Sequence, residues 1–132
     1  MKLLNPKTVM QPRGGYSQGV EVNGFVHVAG QVGVDAGGKL TGDGSMEAQT
    51  RQTLVNIVAI LAEAGATLAD VVSATVYVKD FSEYKLFDRI WQEYFGSHKP
   101  ARATVQAALV SPELLIEIQA VAVAPGLRQR EQ

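Results

Sequence analysis

The chain has 132 residues, 12 Lys+Arg against 13 Asp+Glu, a formal charge of -1 and no cysteine. This length suits one domain with a sizeable core. The charge balance offers no basic field for nucleic acid or an anionic membrane, and the lack of Cys excludes disulfides, a thiolate nucleophile and zinc-ribbon spacings. The opening Met1-Lys2-Leu3-Leu4-Asn5-Pro6 has no apolar run of the signal-peptide kind, and no stretch reaches the length of a membrane span, so a soluble cytoplasmic protein is expected. Residues 1–125 read as one domain, and 126–132, polar throughout apart from Leu127, as a loose tail.

Gln11-Pro12-Arg13-Gly14-Gly15 reads as a loop, followed by Tyr16. Val20-Glu21-Val22 and Phe25-Val26-His27-Val28 flank Asn23-Gly24, which predicts a hairpin, because a type I′ turn needs positive φ at both central residues. Gly30 to Val34 leave the second strand, and residues 35–45 form a Gly-rich loop that lacks the features of a phosphate cradle. Ser45 is the expected N-cap of a helix running to about Ala64, with Leu54, Ile57, Val58 and Leu61 inward and Gly65 as a left-handed stop.

Val72 to Lys79 reads as a strand covered on one face by helices. Asp80 and Glu83 resemble a capping box opening a second helix whose inward stripe is Tyr84, Phe87, Trp91, Tyr94 and Phe95, and which ends at His98-Lys99-Pro100. Such an aromatic stripe is read as core. Two strands, about 102–109 and 114–124, break at Ser111-Pro112. The order β-β-α-β-α-β-β predicts an α+β fold, with two helices on one face of a mixed sheet.

In the last strand both faces are mostly apolar, and nothing remains in the chain to cover the second, so a closed homo-oligomer is expected. Arg102 and Glu117 each place one charge in an otherwise apolar strand, which is costly unless something pairs with it. The partner is either a small carboxylate ligand or, for Arg102, the acids Glu117 or Asp88. His27, alone on a hairpin strand, reads as a sheet residue.

Gly15-Tyr16-Ser17-Gln18-Gly19, Ala29-Gly30-Gln31, Gln49 to Ile57, Val76-Tyr77-Val78-Lys79-Asp80, Pro100-Ala101-Arg102 and Ile116 to Ala122 together resemble the signatures of the RidA (YjgF/YER057c/UK114) family, in order and at its spacing, from about residue 5 to 124. The resemblance implies a chorismate-mutase-like fold and a homotrimer with a central β-barrel and clefts between subunits. It also implies hydrolysis of enamines or imines such as 2-aminoacrylate to 2-oxo acids and ammonia, with neither metal nor organic cofactor. By the same resemblance Arg102 binds the substrate carboxylate, with backbone amides near Ala103 and Thr104 assisting. Glu117 holds or activates water, or is an anchoring ion-pair partner. Tyr16 lines the cleft or caps the hairpin, and Gly30 admits a ligand or marks a bulge.

Three positions depart from the family pattern. Ala29 stands for a serine, Asp88 for an asparagine and Thr104 for a cysteine, which disfavours a second anionic group in the pocket and leaves the substrate open. A non-catalytic, regulatory trimer that binds small carboxylates is the alternative; ribonuclease or translation-inhibitor activity gets little support from a composition without a basic patch. The carboxylate-binding role expects Arg102 to stand free at an inter-protomer crevice, not locked onto its own chain's acids.

Overall fold

A computed structural model describes residues 1–125; the expected tail, 126–132, lies outside the described residues. Six strands, β1 (Lys2–Leu4), β2 (Gly19–Val22), β3 (Phe25–Val32), β4 (Val71–Val78), β5 (Ala101–Gln106) and β6 (Ile116–Val123), form one sheet in the order β1-β2-β3-β6-β4-β5. All pairings are antiparallel except the parallel one between β4 and β5. Helix α1 (Met46–Ala62) connects β3 to β4, and α2 (Tyr84–Phe95) connects β4 to β5. The sheet is therefore mixed and the fold is α+β.

Local chemistry explains most of these elements. Asn23 and Gly24 take φ of 51° and 81°, so the hairpin between β2 and β3 closes as a type I′ turn. The Ser45 hydroxyl accepts the Ala48 N–H at 3.1 Å and starts α1. At the other end the Ala66 N–H returns to the Leu61 carbonyl through Gly65 at φ 71°, a Schellman-like stop.

Several expected details differ. Strand β1 is additional; three residues are too few to show alternation, and Leu3 finds its place only by pairing with Val20. Val58 is 40% exposed, because it lies one helical step off the stripe formed by Leu54, Ile57 and Leu61. Asp80 makes no capping box; its carboxylate accepts the Ser82 backbone N–H and hydroxyl in an Asx turn, and α2 begins only at Tyr84 with no side-chain cap. That helix ends at Phe95, on Gly96 at φ 62°, ahead of His98-Lys99-Pro100.

Both helices lie on one face. Leu54, Ile57 and Ile60 of α1 and Phe87, Ile90 and Trp91 of α2 pack on Val26, Val28, Val76, Ile118 and Ala120 of the sheet, all buried. Burying each large apolar side chain contributes about 1.5–3 kcal/mol, so this layer is the main source of stability. The helix face also buries Gln49, Thr50, Thr53 and Asn56. Gln49 donates to the Gly44 and Glu113 carbonyls, both at 2.9 Å, and accepts the Leu115 N–H at 2.8 Å. Asn56 donates to the Val32 and Val34 carbonyls, both at 3.1 Å. These amides pin α1 to the end of β3 and the start of β6, where Glu117 sits.

The alternate residues point the other way. Phe25, His27, Val121, Thr75, Tyr77 and Val105 occupy the face opposite the helices, where no described element covers them; Phe25 and Val105 are 40% and 41% exposed.

Candidate functional site

Glu117 enters β6 one residue after buried Ile116, so alternation turns it to the uncovered face, opposite Tyr77 of β4 and Val32 of β3. The β3–β6 register slips between Val28 and Gln31, a bulge that brings Gly30 over the Glu117 side chain. A β-carbon added to Gly30 would overlap the carboxylate and lie 2.8 Å from Glu117 Cδ. Gly30 thus serves both of its sequence readings in part: it marks a bulge, and it permits close approach, here of a side chain.

Glu117, Tyr16, Gln18, Ala29, Gly30 and Gln31 line a cavity of about 520 Å³. Among the described residues Glu117 has no hydrogen-bond or ion-pair partner, so the anchoring ion pair is not formed among them. Burial without compensation pushes its pKa above the ordinary carboxylate value. The floor beside it is fixed: Gln31 Nε2 donates to Gln18 Oε1 at 2.7 Å and to the Ala29 carbonyl at 3.0 Å, while Gln18 Nε2 donates to the Met10 carbonyl at 2.7 Å. Tyr16 is half exposed at the rim.

Gly30→Ala is expected to push the Glu117 carboxylate out toward water and return its pKa toward the ordinary range. Titration of the Glu117 carboxyl carbon by NMR reads this, and an unchanged midpoint would show that the bulge accommodates the methyl.

Arg102 lies on the other side of the sheet. It pairs in register with Ala74, whose side chain is buried under the helices, and its guanidinium reaches α2. There Nη1 meets Asp88 Oδ1 at 2.9 Å and Nη2 donates to the Tyr84 hydroxyl at 2.6 Å. The planar group lies 5.2 Å from the Phe87 ring centre and 4.9 Å from that of Trp91, which hold it by cation–π attraction. The Arg102 side chain is 17% exposed and that of Asp88 31%. The expectation of a free guanidinium therefore does not hold: Asp88 of the same chain engages it, since the two side chains meet where α2 crosses the edge strand.

The engagement is partial. A guanidinium carries five N–H donors, and the contacts with Asp88 and Tyr84 use two of them. Arg102 also lines a cavity of about 360 Å³, together with Asp88, Trp91, Gln92, His98 and Lys99. Thr104 shares the helix-side orientation of Arg102 and is half-buried, while Ala103 faces the uncovered side and is exposed.

The residues singled out in the sequence thus separate into two groups. Tyr16, Ala29, Gly30 and Glu117 gather in one cavity, and Arg102 with Asp88 in another, so one chain does not bring Arg102 and Glu117 together. Gln18, Gln31 and Tyr84 carry site geometry that sequence reasoning did not assign. Both glutamines sit in the quoted motifs, each beside a glycine. Among the described residues no group of three or more His, Asp or Glu is arranged to hold a metal ion.

Comparison with known proteins decides the family. The family model described as endoribonuclease L-PSP matches residues 7–124. This chain belongs to the RidA/L-PSP family. A RutC family protein of Pyrococcus abyssi is 42% identical over 112 residues, covering 85% of this chain and 88% of its own length. Among solved structures, this RidA/L-PSP chain superposes on YyfA of Yersinia pestis, of the conserved Rid protein family, with a TM-score of 0.87 at 31% identity, covering 92% of this chain and 98% of that one. Escherichia coli TdcF, solved with bound serine, gives 0.85 at 28% identity, covering 93% and 98%. The helix positions, the bulge at Gly30 and the edge strand bearing Arg102 are thus set within a RidA/L-PSP fold. No helix among the described residues is long and apolar enough to cross a membrane.

Proposed function

We propose that the protein hydrolyses reactive enamines and imines of 2-amino acids, of the 2-aminoacrylate kind, to 2-oxo acids and ammonia, in clefts between three copies of the chain. The observation that carries this reading is Glu117: a partly buried carboxylate with raised pKa, no partner among the described residues, and a cavity in front of it. A partnerless charge in such a place is costly to maintain and is suited to moving a proton.

The second half of the chemistry comes from Arg102. Its spare N–H donors form a fork suited to a substrate carboxylate, and its aromatic bed fixes the plane of the fork. The two halves face opposite sides of one sheet, and the face bearing Glu117 is uncovered and largely apolar. Packing that face against a neighbour's edge strand in a closed trimer accounts for both facts: each cleft takes Arg102 from one chain and Glu117 from the next. The serine bound in TdcF is a small carboxylate of the size this cleft would take.

In the reaction the carboxylate seats on Arg102, and a water held by Glu117 adds to the C=N carbon as Glu117 takes its proton. Addition to the protonated imine gives a neutral carbinolamine; Glu117 returns its proton to the nitrogen and takes the hydroxyl proton as the C=O bond forms and the C–N bond breaks, so ammonia leaves and the 2-oxo acid remains.

The test generates 2-aminoacrylate from serine with a pyridoxal-phosphate dehydratase and follows imine decay. Wild type accelerates the decay, and Arg102→Ala lowers kcat/KM by about 10- to 100-fold, mainly through KM, as expected for loss of a charge-assisted hydrogen bond. Equal acceleration by both proteins removes Arg102 from the mechanism. No acceleration by wild type, with binding of 2-oxobutyrate retained, identifies a carboxylate-binding trimer, and cleavage of a labelled RNA would favour the endoribonuclease description instead.

A further inference from the structure

We propose that Arg102 and Asp88 act together as a receptor for zwitterions, reading a ligand's carboxylate and the positively charged nitrogen beside it, so that the site prefers 2-imino and 2-amino acids over the 2-oxo acids they become. This rests on the reading of Arg102 as the carboxylate-binding residue.

Pairing with Asp88 offsets part of the field that a lone guanidinium would present, so a simple monocarboxylate approaching Arg102 also meets a like charge. Asp88 is nevertheless not saturated. A carboxylate has about four lone-pair positions; Oδ1 takes Arg102 at 2.9 Å, Oδ2 takes Gln92 Nε2 at 2.9 Å, and no other partner is present among the described residues. Asp88 and Arg102 line the same cavity. Acceptor and donor side by side match a molecule that carries an N–H cation next to an anion.

The i,i+4 hydrogen bond from Gln92 and the cation–π bed under Arg102 hold this pair on a rigid helix and a strand, so its geometry precedes the ligand. A protonated imine of a 2-amino acid satisfies both groups. The 2-oxo acid formed from it leaves Asp88 facing a carbonyl oxygen, acceptor against acceptor, and a site built to hydrogen-bond one group rejects the analogue that lacks it. The consequence is tighter holding of the iminium, the form most open to attack by water, and release of the product.

Calorimetric binding of two four-carbon probes tests this, 2-aminobutyrate as the zwitterion and 2-oxobutyrate as the plain acid. Wild type should bind 2-aminobutyrate about tenfold or more tightly than 2-oxobutyrate, and Asp88→Asn should abolish or reverse that order. Equal or tighter binding of 2-oxobutyrate by wild type overturns the proposal, as does a preference that Asp88→Asn leaves intact or a failure to bind either probe. The wild-type ratio decides alone if the variant does not fold. Imine turnover is measured separately: turnover without the preference leaves the deaminase reading standing and removes this one, and the preference without turnover does the reverse.

Discussion

Glu117→Gln is expected to lower imine turnover by about 100-fold or more while leaving the protein folded, because a positioned general base contributes roughly that factor or greater. The amide keeps the side chain's size in the cavity and loses only the ability to take a proton. In wild type the active form is the ionised carboxylate, so activity should rise as pH increases through the folded-state pKa of Glu117. Burial places that pKa above the ordinary carboxylate value, so the acid limb should lie higher than for an exposed Glu.

Stability should move the opposite way. In the interval between the unfolded and the raised folded pKa, the native state binds the proton more tightly than the unfolded chain, so stability falls as pH rises across that interval. Above it, the ionised group is a standing cost. Glu117→Gln removes that cost and should melt above wild type at pH 7, with the gap closing as the pH is lowered through the folded pKa. A variant that melts lower at pH 7 would mean that the carboxylate is paired after all.

Val121→Lys is expected to leave a folded chain that no longer assembles and no longer turns over substrate. Val121 lies at the middle of the uncovered face, between His27 of β3 and Ser73 of β4. A lysine there puts an unpaired charge into the proposed contact in every copy, each costing several kcal/mol to bury. Sedimentation should show trimer for wild type and monomer for the variant. The loss of turnover should occur although Arg102, Asp88 and Glu117 are all present. Retained assembly with full activity would mean that this face is not the contact.

Much of the fold could be read from local chemistry. Asn23-Gly24 fixes the hairpin, Ser45 the start of α1, and the aromatic spacing of Phe87, Trp91 and Phe95 the buried face of α2. What escaped depends on partners distant in sequence. Lys2–Leu4 becomes a strand only through β2, and Gln49 and Asn56 are buried because strand-end carbonyls and a loop need donors, which no hydrophobic pattern reveals. Asp80 misled because an acid before a helix can cap the helix or fold back on its own turn, and Ser82 decided the matter.

The site was legible to the same degree. Glu117 and Gly30 are brought together as a β-bulge allows, but the partner of Arg102 was ambiguous between two acids. Parity resolves it: Glu117 sits at an outward position of β6, whereas Arg102 turns inward beneath α2, where Asp88 waits one turn after Tyr84. Alternation within each strand is legible in the sequence, but the register that sets β5 against β4 and the placement of α2 over Arg102 are not.

Hybrid assembly most directly tests whether each cleft draws on two chains. Arg102→Ala and Glu117→Gln chains, each lowered by about tenfold or more in kcat/KM alone, are unfolded together, refolded in equal amounts and assayed for imine turnover at substrate well below KM. If one chain supplies Arg102 and its neighbour Glu117, random reassortment restores an intact cleft in the mixed trimers, and activity should return to about a quarter of wild type. A mixture that forms mixed trimers yet stays at the level of its parents would contradict the account.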